Sequence, residues 1–130
     1  MADFQALNQK YMPVIDTVKQ FEPHGAKFVG SELVGEQLHL VAQVPSQVVE
    51  NRVWDAIKAV DPEFADLKHE ITNTGGAEQH YTAVAGDNLS KISKLFYGNP
   101  NHYMKIAAAS GKDDPNQLHV GDQLVIPVLQ

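Results

Sequence analysis

The sequence contains no cysteine. This absence excludes disulfide bonds and thiolate metal ligands, so a small domain in this chain must be stabilised by apolar packing. Long apolar runs are missing as well. The N-terminal segment carries Asp3 and has neither the apolar stretch of a signal peptide nor the length of a membrane anchor. We therefore expect a cytoplasmic protein.

Basic residues are scarce, with 10 Lys and Arg against 16 Asp and Glu and a formal net charge of −6. Residues 1–76 hold 11 acidic and 6 basic side chains, and residues 77–130 hold 5 and 4. Neither part has the basic stripe that binding to a phosphate backbone requires. Nucleic acids and anionic membranes are therefore not expected partners.

Patterns that would indicate catalysis or a metal site are also lacking. The six histidines show no spacing that would place two ligands on one helix face. Asp113 and Asp114 precede Pro115, as is typical of a turn, whereas a glycosidase needs two carboxyl groups facing its substrate. Nucleophile motifs and phosphate-binding glycine loops do not occur. We predict a protein that is not an enzyme and that holds no metal or cofactor.

The N-terminal part of the chain predicts the element order α-β-β-α-β. Apolar residues recur at spacings of three and four in the two predicted helices, and Pro13 predicts a break or a start in the first helix. Apolar residues alternate in the predicted strands, the first two of which are joined by a turn at Gly35. In chain order, these elements cover residues 4–21, 28–33, 37–44, 49–60 and 66–72.

Several positions in this part of the chain carry a resemblance to a known family. They are the strand residues Leu38, Leu40 and Val44, the helix start at Pro45-Ser46, and the helix stripe of Val53, Ile57 and Val60. In this element order, they resemble a BON domain, which we assign to residues 1–72. Trp54 lies at the edge of the helix stripe, where it could flank the core or anchor a protein partner.

Residues 73–78 are small, polar and rich in glycine, and they have no apolar period. This composition predicts a flexible linker. The chain is then expected to consist of two modules, with the second at residues 79–130.

The C-terminal part predicts the order β-α-α-β. A strand over residues 80–84 is followed by a turn at Gly86 and a helix that Asp87 or Asn88 could cap and Gly98 could end. The segments YTAVAGDNLSKISKLFYGNPNHYMKI and DPNQLHVGDQLVIP resemble LysM domains over the whole module. Two positions depart from that family's pattern, Ser110 where asparagine is usual and Val120 where proline is usual.

The resemblance to LysM implies binding of glycans that contain N-acetylglucosamine, such as peptidoglycan, in a groove between two loops. An N-acetyl sugar offers an amide donor, an acceptor and a methyl group, which suit loop backbone groups beside a small apolar surface. Leu89 and Leu118 could instead serve only the core, and Gly86 only the turn. The glycan-binding residues that the resemblance implies are Gly86, Asp87, Asn88, Leu89, Ser110, Gln117, Leu118 and His119.

A glycan-binding module in a cytoplasmic chain leaves alternatives open. Association with cell-wall material would resolve the conflict. The combined pattern is also similar to small cytoplasmic BON-LysM proteins, a resemblance that implies potassium binding and ion sensing. Backbone carbonyl groups can coordinate potassium without a residue signature. A third reading is docking of a protein partner, through the N-terminal module for example.

Overall fold

The computed structural model describes residues 3–112, 114 and 116–129, and the chain forms two compact units. The first unit contains the chain up to Pro45 together with Val49–Gly75, and the second contains Ser46–Val48 and the chain from Gly76 onward. Both units contain helices and strands, which confirms the α+β class. The assignment of the first unit to the BON family stays a prediction. The predicted turn at Asp113 and Pro115 involves residues outside the described ones.

The first unit has the predicted order of helices and strands, with its first helix divided in two. Its strands form one sheet in the order β1-β2-β3, and β1 runs antiparallel to β2. The elements are α1 (Phe4–Lys10), α2 (Met12–Gln20), β1 (Lys27–Val34), β2 (Gln37–Ser46), α3 (Gln47–Val60) and β3 (Leu67–Gly76).

The break between α1 and α2 falls at Tyr11, two residues before Pro13. Pro13 occupies the first turn of α2, where a helix has no partner for the backbone N–H that proline lacks. The break turns the Tyr11 side chain fully into the core. The predicted interruption of the apolar stripe at the proline is confirmed.

The hairpin between β1 and β2 is also confirmed. Gly35 has φ 61°, a left-handed conformation that glycine adopts without a steric penalty. Alternate residues of β2 point to the core, as the period of two predicts, and all four are fully buried. These residues are Leu38, Leu40, Ala42 and Val44.

A polar cluster joins the break between α1 and α2 to the segment before β3. Lys10 Nζ lies 3.0 Å from Asp61 Oδ2 and 2.8 Å from Asp66 Oδ2, and the Tyr11 hydroxyl donates to Asp66 Oδ1. Burial would raise the pKa of Asp66, but the hydrogen bonds from Lys10 and Tyr11 outweigh it and hold this pKa below its usual value. Because the carboxylate is favoured, the cluster stabilises the unit above the ordinary pKa of aspartate and loses this contribution in acid.

Strand β3 continues through Gly76, so residues 73–76 are strand where the sequence predicted part of a linker. Thr74 Oγ1 donates to Val44 O at 3.3 Å, which ties this end of β3 to the end of β2. Gly75 lies against the Pro45 carbonyl so closely that a Cβ atom would be 1.9 Å from the oxygen. The glycine at position 75 thus permits close packing of two strands, a role that composition alone does not distinguish from flexibility.

The second unit has the predicted order β-α-α-β. Strand β4 pairs antiparallel with β5 from Gln79↔Ile126 to Thr82↔Gln123. A short 3-10 turn precedes the second helix, and apolar side chains of both helices and β5 form the core, among them Phe96, Ile106 and Leu124. The elements are β4 (Gln79–Thr82), α4 (Leu89–Tyr97), α5 (Tyr103–Ala109) and β5 (Gln123–Ile126).

Candidate functional site

Two loops of the second unit lie side by side. The first loop comprises residues 83–88, between β4 and α4, and the second comprises residues 110–122, between α5 and β5. Ala83 N donates to Asp122 O at 2.9 Å, and Gly121 N donates to Ala83 O at 2.8 Å. These bonds extend the pairing of β4 with β5 by one step, so the ends of both loops are held together.

Asp87 holds the first loop in shape. Its Oδ2 atom accepts hydrogen bonds from the Tyr81 hydroxyl at 2.6 Å and from Val84 N at 2.8 Å. The helix cap is provided by Asn88, whose Oδ1 atom accepts from Lys91 N at 2.8 Å. Of the two caps that the sequence left open, the structure therefore selects Asn88, and Asp87 braces the turn.

Tyr81 is part of this brace. Burial, followed by the hydrogen bond to the Asp87 carboxylate, raises the pKa of Tyr81 to about 12. Its ring packs edge-on against Phe96, with ring centroids 5.7 Å apart. The hydroxyl is therefore protonated at neutral pH and remains a donor to Asp87.

Ser110 begins the second loop and is tied to β5. Its Oγ atom accepts from Val125 N at 2.9 Å and donates to Val125 O at 3.3 Å. The Ser110 hydroxyl thus joins the end of α5 to β5, and these two hydrogen bonds explain why a polar side chain stands at position 110.

A lysine and an aspartate close the second loop. Lys112 Nζ forms an ion pair with Asp122 Oδ2 and donates to Gln117 O at 3.4 Å. The same Asp122 oxygen accepts from His119 N at 2.9 Å. The hydrogen bond from Lys112 and then the one from His119 N hold the pKa of Asp122 below its usual value. The carboxylate is therefore ionised at neutral pH and able to keep both partners.

The residues that the resemblance placed in a glycan site do lie on these two loops or at their edges, but their side chains differ in access. Leu89 is only 2% exposed, so its side chain belongs to the core. Leu118 is half-buried, whereas Gln117 and His119 are exposed. Gly86 and Asn88 are exposed in the first loop. The exposed members of the predicted set are therefore Gly86, Asn88, Gln117 and His119, with Leu118 partly accessible.

The glycan-binding residues that the resemblance implied leave out two exposed residues of this region, although Val120 is one of the two departures from the family pattern. Val84 and Val120 are 55% and 71% exposed and stand on the two neighbouring loops. An apolar residue at Val84, outside the buried alternation of the strand, was a signal that could have identified the first of them. The pairing of Lys112 with Asp122 had no such signal, because the two residues lie ten positions apart at opposite ends of the loop.

The first unit has a separate aromatic cluster at its surface. Trp54 is half-buried, and its ring meets Phe64 and His69 edge-on, with centroids 5.6 and 4.6 Å away. Trp54 Nε1 donates to Glu50 Oε2 at 3.3 Å. Trp54 therefore flanks the apolar stripe of α3, which is one of the two roles that the sequence left open for it.

Within residues 3–112, 114 and 116–129, no three histidine, aspartate or glutamate side chains are grouped so that they could hold a metal ion. In the same part of the chain, no helix combines the length and apolar character needed to cross a membrane.

Comparison with known proteins places the second unit in a family. Residues 81–127 match the LysM domain. An esterase of Mycobacterium tuberculosis is 49% identical over 47 residues, which are 36% of this chain and 10% of the esterase. A potassium binding protein of Escherichia coli is 45% identical over 53 residues, which are 39% of this chain and 36% of that protein.

The chain thus spans between a tenth and about a third of the length of these two relatives. The esterase match is confined to the LysM region, so it concerns a shared binding domain. LysM domains bind glycans that contain N-acetylglucosamine, such as peptidoglycan. The β-α-α-β unit with its two joined loops agrees with the family match, and residues 81–127 of this chain are a LysM domain.

Proposed function

We propose that this protein is a non-enzymatic glycan-binding protein that recognises N-acetylglucosamine oligomers or peptidoglycan in the groove between the two loops of its LysM domain. The observation that supports this site best is the junction of the loops through the two backbone hydrogen bonds of Ala83. Each loop also has its own carboxylate brace, Asp87 in one and Asp122 in the other. A rigid pair of loops lowers the ordering cost of binding a small ligand.

The accessible groups of the groove suit an uncharged N-acetyl sugar. Leu118 and the exposed Val84 and Val120 offer apolar surface to a methyl group, while Gln117 and the loop backbone offer donors and acceptors. The negative charge of Asp122 is balanced by Lys112. Binding should therefore depend on shape and hydrogen bonds more than on charge.

Calorimetric titration of the full chain with the chitin pentamer tests this proposal. We expect a dissociation constant on the order of 0.1–1 mM, because a shallow groove on one small domain buries little ligand surface. The constant should change less than about twofold between about 0.05 and 0.5 M salt, since the ligand carries no charge to screen. Polymeric glycan should bind more tightly through repeated sites. No heat of binding at millimolar pentamer, or a steep salt dependence, would contradict the proposal.

Potassium binding is the second candidate function. The 45% identity with the Escherichia coli potassium binding protein over 53 residues favours it. In this reading, potassium would be the ligand and the chain would act as an ion sensor, with a BON-like first unit. Backbone carbonyl groups would have to supply the ligands, because the described residues offer no side-chain metal cluster.

A comparison of melting temperatures in potassium chloride and in sodium chloride distinguishes selective potassium binding from charge screening. If the chain binds potassium selectively, its melting temperature should rise with potassium chloride and stay lower in sodium chloride at the same concentration, because a ligand of the folded state raises apparent stability. The net charge of −6 attracts any cation. An equal rise of the melting temperature with both salts would therefore be explained by charge screening and would contradict selective potassium binding.

A further inference from the structure

Lys112 connects both ends of the loop that carries the exposed groove residues. Its backbone N–H donates to Ala107 O at 2.9 Å, which anchors the residue to the last turn of α5. Gly111, just before it, has φ 71°, the left-handed conformation that lets the chain leave a helix end. The backbone of Lys112 is therefore fixed by the helix, while its ammonium group reaches Asp122, the residue just before β5.

The contacts of the ammonium group lie at the segment that carries Gln117, Leu118 and His119. Lys112 Nζ reaches the carbonyl oxygen of Gln117 at 3.4 Å and pairs with the Asp122 carboxylate, which in turn accepts His119 N at 2.9 Å. Asp122 N also donates to His119 O at 3.0 Å. The backbone before and after Leu118 is thus held from one side by a single ion pair.

The ion pair is partly shielded from solvent, with side-chain exposures of 21% for Lys112 and 25% for Asp122. Fully exposed pairs contribute little to stability, but a shielded pair with further hydrogen bonds can hold one loop conformation. The core of the domain lies elsewhere, in side chains such as Phe96, Ile106 and Leu124. Loss of the pair should therefore loosen the loop while the domain remains folded.

From this geometry, we propose that Lys112 is a positioning residue for glycan binding, which keeps the Gln117–His119 segment in its binding conformation through Asp122. This inference rests on the proposed glycan-binding function. The lysine need not touch the ligand. Its removal would lower the fraction of molecules with a preformed groove, and the apparent affinity falls in proportion to that fraction.

The test compares the full chain with its Lys112→Met, Lys112→Arg and Lys105→Met variants. Methionine keeps an unbranched apolar stem without the charge, and arginine restores a cation. Lys105 is an exposed residue of α5, so Lys105→Met removes the same charge from the same domain without touching the loop. Chitin pentamer affinity, melting temperature and, without ligand, hydrogen exchange of the amides at residues 117–119 are measured for each protein.

We expect Lys112→Met to bind the pentamer about three- to tenfold more weakly and to exchange the His119 amide faster, with the domain still cooperatively folded. Lys112→Arg should recover most of the affinity, and Lys105→Met should match the wild type. Unchanged affinity in Lys112→Met would overturn the positioning role, as would an affinity loss without faster exchange or without recovery by arginine. Failure of the wild type to bind would instead show in its own titration and would remove the proposed function together with this inference.

Discussion

Replacing Gly75 with alanine is expected to destabilise the first unit by about 3 kcal/mol or more, since a forced overlap in a packed site costs at least as much as a severe overpacking substitution. The added Cβ atom would lie 1.9 Å from Pro45 O and 3.0 Å from Pro45 C. Both are backbone atoms, so no side-chain rotation can relieve the overlap, and β3 must move away from the end of β2. Chemical denaturation of the full chain measures the change.

Gly76→Ala is the matched control. It makes the same substitution one residue further along the strand, where no described atom beyond Gly76 and its two chain neighbours lies within 4 Å of the new Cβ. We expect its effect to stay below about 1 kcal/mol, within the range of a glycine change in a strand. Equal, small effects of both substitutions would mean that residues 73–76 behave as the flexible linker that the composition suggested.

Replacing Leu118 with aspartate is expected to weaken binding of the chitin pentamer more than tenfold, which raises the dissociation constant above about 1 to 10 mM. Leu118 is half-buried, so the substitution would replace apolar side-chain surface with a charged carboxylate. Calorimetric titration of the full chain measures the loss.

Two controls separate this effect from misfolding and from net charge. Leu118→Met keeps an apolar side chain of similar volume and should retain binding within about threefold. Met104→Asp adds the same charge to the same domain at a side chain that is 52% exposed on α5, outside both loops, and should leave affinity unchanged. Retained binding by a folded Leu118→Asp protein would exclude Leu118 from the site.

Features that depend on a few neighbouring residues were predictable from the sequence. The break near Pro13, the turn at Gly35 and the end of α4 at Gly98 follow from the restricted or permissive backbone of the residue itself. The buried face of β2 follows from its period of two. Local chemistry was sufficient for these because no distant partner decides them.

Features that depend on distant partners were not predictable in the same way. The role of Gly75 is set by the Pro45 carbonyl, thirty positions earlier, and composition alone suggested a linker. Asp87 could have capped a helix, but its carboxylate instead accepts hydrogen bonds from the Tyr81 hydroxyl and from Val84 N. The resemblance to LysM located the two loops because a family pattern reflects the tertiary structure of its members. Residue periodicity reports only local structure and could not have done so.

A nuclear magnetic resonance titration of the full chain with the chitin pentamer tests the central claim most directly. Ligand binding in the groove changes the environment of the amides on both loops, and the first unit serves as an internal control in the same spectrum. We predict that amides at residues 86–89 and 117–119 shift together and saturate at millimolar pentamer, while those of β1 and β2 do not move. Absence of any shift on either loop at that concentration would contradict glycan binding by this domain.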